Sequence, residues 1–293
     1  NQAKEVLSWY DNMRNPVPTW YFKGYYLQYI DGIPFKLKSA FDFSFMKEYG
    51  TVFKVYDDQD SGNICFGTEK DGQRYFVKFA GAPTEQFGGD PADAISRLKA
   101  TLPIYSDLKH ENLIELIEAK EIGDGFAMVF KWADSDCMGR MYPAAHRRFM
   151  QLPINDRLAV FSDILSFLEC VASRKYVAID FYDGSIMYDF ANGKTTICDI
   201  DLFHKQPCVN DMGRMWGSSR FQSPEEYQLG ADIDEFTNVY TLGATAFALF
   251  GEYNRTREKW QLSDKLFEIA TRAVSDDRTK RQQSIRQFTA EWE

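Results

Sequence analysis

Residues 176–203 read YVAIDFYDGSIMYDFANGKTTICDIDLF, and the rest of the chain is understood from this stretch. It carries two carboxylates, Asp180 and Asp199, each after a short apolar run with the pattern of a buried strand or strand end. Between them lie an alternating piece at 185–188, an Asn192-Gly193 turn and a second strand-like piece, TTIC. A β-hairpin therefore separates the two acids and folds them back toward each other. Magnesium-assisted phosphoryl transfer uses such a pair, one carboxylate to orient an attacking hydroxyl and one to hold the metal on nucleotide phosphates. Strand-end aspartates also serve as plain turn caps, and the hairpin alone leaves both roles open.

The 293 residues suffice for two lobes with cores of their own. A content of 44% apolar and 16% aromatic residues, with no low-complexity tract, is that of a globular chain. Asp and Glu outnumber Lys and Arg by 43 to 34 and no basic run stands out, so neither nucleic acid nor an anionic membrane is expected as a partner. No apolar run reaches the ~18 residues of a membrane span. The stretch NQAKEVLSWYDNMR lacks the apolar core of a secretory leader. Cys65, Cys137, Cys170, Cys198 and Cys208 are scattered without a C-x-x-C pair, and His110, His146 and His204 share no metal-like spacing. Reduced thiols, no zinc site and a cytoplasmic location are the expectation.

In chain order, AKEVLSWYDNMR reads as a short helix, followed by an aromatic, Pro-broken piece (Trp20, Tyr21, Phe22, Tyr25, Tyr26, Tyr29) expected to pack on the first lobe. TVFKVY, ICFGTE and RYFVKFAG read as strands, with Asp71-Gly72 in the second turn. PADAISRLKATLPIYSDL reads as a helix with Pro91 near its start and a break at Pro103. NLIELIEA and GFAMVFKWA supply two further strands. Asn155 is expected to cap a helix running to Ser173, a nearly all-apolar helix at 234–250 to form a buried axis, and two amphipathic helices to close the chain.

Lys78 sits in Phe76-Val77-Lys78-Phe79, a strand otherwise apolar, where an ammonium is costly unless it reaches an anion. An edge-strand lysine that discourages aggregation is the plainer use. The preceding turn, DDQDSGNI, contains Gly62, and such a turn lays backbone N–H groups over phosphates. Its three aspartates oppose close phosphate contact. A calcium-loop reading fails because Thr68 stands at the bidentate glutamate position and strands flank the loop.

These pieces resemble the eukaryotic-type protein kinase superfamily over residues 42–292. Lys78 stands at the lysine of V-A-I-K. Ala178-Ile179-Asp180-Phe181 stands for H-R-D-L, with Ser185 at the place of the loop asparagine, and Asp199-Ile200-Asp201 for D-F-G. GSSRFQSPEE (217–226) is similar to the end of an activation segment, with Ser223-Pro224-Glu225 for A-P-E. NVYTLG (238–243) is similar to the start of the central helix, Arg281 stands where a late arginine pairs with the A-P-E glutamate, here Glu225, and LKHENLI (108–114) has its usual place.

The resemblance implies an α+β, bilobal protein-kinase-like fold: a small five-stranded antiparallel N-lobe with one helix, and a mostly helical C-lobe. Residues 1–40 are then an aromatic extension on the N-lobe, 41–133 the N-lobe and 134–293 the C-lobe of one catalytic domain. It further implies ATP and Mg²⁺ as ligands in a cleft where Lys78, Asp180 and Asp199 converge. Asp199 and Ser185 are assigned to the metal, Asp180 to the acceptor hydroxyl and Lys78 to the α- and β-phosphates. Gly62, Ile64, Phe130, Lys131 and Ala133 are assigned to the nucleotide, Phe130 at the back of the adenine site and Lys131 and Ala133 offering backbone groups to the base. The acceptor implied is a protein serine or threonine.

Several positions depart from the family pattern. Ala178 and Ile179 replace the His and Arg of the loop, and Tyr182 replaces its lysine. The helix glutamate that pairs with the strand lysine falls on Thr101, leaving Asp93 or Glu85 as substitutes. Asp57 and Gln59 replace loop glycines, and Asn238 the aspartate that opens the central helix. These departures keep two alternatives in play, a pseudokinase that serves as a binding module and a small-molecule kinase of the aminoglycoside-phosphotransferase type.

Overall fold

Asp-Gly pairs at positive φ set the hairpins of the first of two compact units. The computed structural model describes residues 20–22 and 24–293; the helix expected at 3–14 lies outside them. Among the described residues one unit holds 20–102 and Glu115–Trp132, and the other Pro103–Ile114 and Ala133–Glu293.

The first unit opens with β1 (Trp20–Phe22), β2 (Tyr25–Ile30) and β3 (Ile33–Leu37), an antiparallel meander where the sequence reading placed no strands. Asp31 and Gly32, at φ 49° and 79°, turn β2 into β3, as Asp71 and Gly72 (53° and 75°) do for a later pair. A five-stranded antiparallel sheet follows, built from β4 (Thr51–Tyr56), β5 (Asn63–Lys70), β6 (Gln73–Ala80), β7 (Leu116–Ile122) and β8 (Gly125–Lys131) in the order β4-β5-β6-β8-β7. Because side chains alternate across a strand, Ile64, Phe66, Val77 and Phe79 fall on one face. There they form one core with Ile30, Phe35 and Leu37 of the meander and with Phe43 and Met46. The other face receives α1 (Pro91–Ala100), started by Asp90, whose carboxylate accepts from Ala92 N at 2.8 Å, with Pro91 in the first turn. The helix ends at Thr101, ahead of Pro103.

β7 begins later than the apolar run NLIELIEA suggests. Asn112 and Ile114 belong to the second unit, where Asn112 O accepts from Ile197 N at 2.6 Å and Ile114 N donates to Ile197 O at 2.8 Å. Their backbone groups serve another strand, and pairing with β8 starts only at Leu116.

The second unit is mostly helical. Its elements are α2 (Leu102–Asp107, beginning at the unit boundary), β9 (Asp136–Cys137), α3 (Pro143–Met150), α4 (Ile154–Ser173), β10 (Tyr176–Val177), β11 (Ile186–Asp189), β12 (Lys194–Ile197), β13 (His204–Lys205), β14 (Cys208–Val209), β15 (Asp232–Ile233), α5 (Glu235–Phe250), α6 (Asp264–Ala273) and α7 (Ile285–Trp292). Asn155 does not cap α4: the helix starts two residues earlier, with Pro153 as its N-cap, which offers no side-chain acceptor. Residues 237–250 of α5 are all buried, as an axis requires. α6 crosses it closely at Gly243, where a Cβ would stand 2.6 Å from Ala273 Cβ.

One ion pair locks the base of this unit. Glu225 receives Arg281 in a fork, Nη1 to Oε1 at 2.7 Å and Nη2 to Oε2 at 3.0 Å, and Thr237 adds a third donor at 3.0 Å. Burial pushes the Glu225 carboxyl up, but the guanidinium prevails and holds it below the usual range. The guanidinium also donates to Ser275 O and Phe236 O, so four of its five N–H groups are used. Arg281→Ala strands a buried carboxylate. The expected loss is about 3–5 kcal/mol, read as a fall in Tm of roughly 10 °C; a variant melting with the parent would exclude the pair as a brace.

Candidate functional site

The hairpin that carries the paired acids is present. β11 and β12 pair antiparallel with Ile186 opposite Ile197 and Met187 opposite Thr196. Asp189 closes the turn, its carboxylate accepting from Ala191 N and Asn192 N. At the open end, Cys198 N donates to Ser185 O at 2.9 Å, so the residue before Asp199 sits directly across from the end of the Asp180 loop. Ser185 Oγ is fully buried and has no protein partner, which costs about 1–3 kcal/mol if nothing fills the position. Asp180 and Asp199 both adopt positive φ, 61° and 57°, outside any tight hairpin turn. Aspartate tolerates this region better than most side chains, and strain of this kind collects at functional sites.

Tyr182 lies near enough to these acids to feel both charges. Burial first, then the charges of Asp180 and Asp199, push its phenol far above the ordinary range, so it remains a neutral O–H donor. Its ring lies against Gly184, where a Cβ would fall 2.4 Å from the ring carbons, so this place admits only glycine while Tyr182 keeps its position. Asp201 accepts from Tyr105 O–H of α2 at 2.9 Å, which ties the segment after Asp199 to a helix.

The loop is held from below by Asn238. Its Oδ1 accepts from Ala178 N at 2.8 Å and its Nδ2 donates to Tyr176 O at 3.0 Å, with the side chain fully buried. An aspartate could accept but not donate, so the amide is what satisfies both backbone groups.

Sequence reasoning passed over Asp183, Arg220 and Tyr253. Asp183 is buried within the loop and takes a fork from Arg220, at 2.8 and 3.1 Å, and a hydrogen bond from Tyr253 O–H at 2.6 Å. A carboxylate in so apolar a run demands partners, but they lie 37 and 70 residues away. Glu226, next to the Glu225 brace, accepts from Ser223 N and Oγ at 2.6 and 2.9 Å. Burial raises it to about 7, with Glu225 and Asp180 adding to the effect.

In the first unit Lys78 is half-buried on the sheet face that carries Cys65 and Met128, its cross-strand partners, and Phe76 and Phe130 lie on the same face. Phe130 is buried with its ring 6.4 Å from that of Phe76. Thr101 occupies the expected place of a carboxylate. Its hydroxyl donates to Leu98 O and contacts Met128 S, while Asp93 is exposed in the first turn of α1.

Two assignments need correction. Ile64 is across from Phe79, in the core on the opposite face from Lys78, and Cys65 is the residue that shares the lysine's face; a period of two separates neighbours in this way. The Lys131 N–H donates to Glu115 O at 2.9 Å within the sheet, so only the carbonyl of that residue remains for a base. Gly62, at φ 85°, is buried against Phe87 and Ala94. Arg97 fastens the same turn by donating to Ser61 O at 3.0 Å. Ala133 opens the second unit, half-buried.

Among the described residues no group of three or more His, Cys, Asp or Glu side chains is arranged to hold a metal by itself. The donors at the hairpin base, an exposed Asp199 carboxylate and the unpartnered Ser185 hydroxyl, suit a hard cation that completes its shell with phosphate and water. No helix among these residues is long and apolar enough to cross a membrane. No known family model matches the chain, and no curated protein sequence matches it.

Asn238→Asp removes the donor to Tyr176 O, and a loss of about 1–3 kcal/mol in thermal unfolding is expected; unchanged melting would show that the amide does not hold the loop. For Glu226 the folded state binds its proton more tightly than the unfolded chain, whose value is near 4.5. That contribution to stability is complete below the unfolded value and is lost as pH rises toward 7. Glu226→Gln keeps the capping oxygen without the charge. Its Tm advantage over the parent is expected to be absent near pH 4.5 and to grow up to pH 8, by on the order of 3 kcal/mol; an advantage independent of pH would refute the raised carboxyl.

Proposed function

We propose that this protein is a magnesium-dependent phosphotransferase that moves the γ-phosphoryl group of ATP to a hydroxyl, with a protein serine or threonine as acceptor. What supports it is the Cys198 N–Ser185 O bond at the open end of the β11–β12 hairpin, beside Asp199, together with the charges of Asp180 and Asp199 both acting on Tyr182. In this reading Asp199 and Ser185 hold the magnesium, which neutralises charge on the transferring phosphoryl group. Asp180 orients the acceptor hydroxyl and takes its proton late. Lys78, Gly62, Phe130, the Lys131 carbonyl and Ala133 serve the nucleotide. Tyr182 supplies a neutral hydrogen bond where a lysine would bring charge. Positioning and electrostatic neutralisation dominate this reaction, so a slow enzyme follows.

A second reading, a nucleotide-binding module without transfer, is favoured by Tyr182 and by the hydroxyl of Thr101 in the place of a carboxylate. One assay separates the two. Asp199→Ala is expected to abolish Mg²⁺-dependent ATP binding measured by thermal shift. Asp180→Asn is expected to keep that binding and lose transfer from radiolabelled ATP by at least 100-fold. Binding in the parent with no transfer to itself or to casein-like proteins would favour the module, and absence of binding would remove both readings.

A further inference from the structure

Arg140, His146 and Arg147 line an open cavity of about 410 Å³ in the second unit, bounded on its other side by Glu252 and Tyr253. Neither guanidinium lies within ion-pair distance of a carboxylate among the described residues. The one acid of the lining, Glu252, faces Lys259 at 3.7 Å. His146 donates through Nδ1 to Met138 O at 2.8 Å, because a carbonyl only accepts, and this leaves Nε2 without a protein partner. Two uncompensated guanidiniums and an open imidazole nitrogen thus meet in a concavity of a chain whose net charge is −9. The overall field repels anions, so any selectivity for an anion here must come from the local charges.

Tyr253 couples the cavity to the Asp180 loop, and His146 adds a second link through Met138, whose N–H donates to Ile186 O. Tyr253 has the Arg140 guanidinium 5.3 Å from its ring centroid and the His146 ring at 5.7 Å, while its hydroxyl donates to Asp183 at 2.6 Å. Glu252 and Tyr253 are consecutive non-glycine residues at φ 53° and 64°, a strained turn that the hydrogen bond to Asp183 helps to hold. A group bound against Tyr253 therefore lies on a surface whose far side is the loop that carries Asp180.

We propose that this cavity binds the anionic group, carboxylate or phosphate, of the hydroxyl compound that accepts the phosphoryl group. The role of acceptor rests on the phosphotransferase reading; binding of the anion does not. Arginine forks match both oxyanions in two-point geometry, and the concave wall strengthens the attraction by displacing water.

The test uses the full chain at low ionic strength with two probes, phosphoserine and the dipeptide glutamyl-serine, titrated by calorimetry. Saturable binding of at least one probe is expected, and the tighter one identifies the oxyanion. The double variant Arg140→Gln/Arg147→Gln is expected to weaken it 10-fold or more. The single variant Arg147→Gln is compared with Arg148→Gln as the control, which lies on the same helix as Arg147, removes the same single charge, and packs over the Phe190 ring at 3.9 Å outside the cavity. Less than a 2-fold change is expected there. Equal weakening by Arg148→Gln, or no saturable binding of either probe to a parent that melts normally, overturns the site. Transfer to serine peptides flanked by glutamate or by phosphoserine is expected to exceed transfer to lysine-flanked peptides at least 10-fold in kcat/KM. Equal transfer to all would overturn the acceptor role while phosphotransfer stands. Probe binding with transfer to no peptide would keep the anion site and remove both the acceptor role and the phosphotransferase reading.

Discussion

The Asn238 amide is the joint on which the second unit depends. α5 is buried over nearly its whole length and cannot shift without breaking the aromatic packing of Phe247, Phe250, Trp260 and Trp292. Asn238, near the start of that helix, grips the strand before the Asp180 loop by one N–H and one C=O. The loop thereby inherits the rigidity of the core, which holds Asp180 at its positive φ. The Glu225–Arg281 brace acts on the same helix, through Thr237 and the Phe236 carbonyl. A buried ion pair is a weak source of net stability, but breaking one is severe, so its effect is to fix a single arrangement.

Much of this was legible in the sequence. The hairpin follows from its alternation and its Asn-Gly turn, the axis helix from apolarity on all sides, and the brace from the family resemblance, which sets Arg281 against Glu225. What escaped were features set by partners far away in sequence. Asp183 gives no local sign of Arg220 or Tyr253, and the β2–β3 hairpin is hidden because its aromatics match a loop as well as a half-buried strand. Ile64 and Cys65 show a narrower failure. The strand is where it was expected, but neighbouring residues point to opposite faces, so Ile64 lies one residue from the side chain that shares the lysine's face.

Some substitutions that look like losses in the sequence are compensated in the structure. Asn238 in place of an aspartate gains a donor that the Tyr176 carbonyl uses. Asp201 in place of a glycine gains an acceptor for Tyr105. Thr101 is different: its hydroxyl caps α1 and touches Met128, and nothing in that contact reproduces a negative charge.

Tyr182 is the substitution with the largest chemical consequence. A lysine there would answer the two carboxylates with a positive charge, whereas the phenol answers them with a dipole. Because burial and those same carboxylates keep the phenol protonated, it never adds a third negative charge to the site. Tyr182 adds no positive charge there, so neutralising Asp180 and Asp199 falls to their other partners. Such a pair repels any further anion that approaches it. It thus makes an anionic acceptor unwelcome near the acids themselves. An acceptor with a carboxylate or phosphate would need that group held apart from its reacting hydroxyl. A cationic cavity beyond Tyr253, whose neutral hydroxyl reaches Asp183 of that loop, provides that separation.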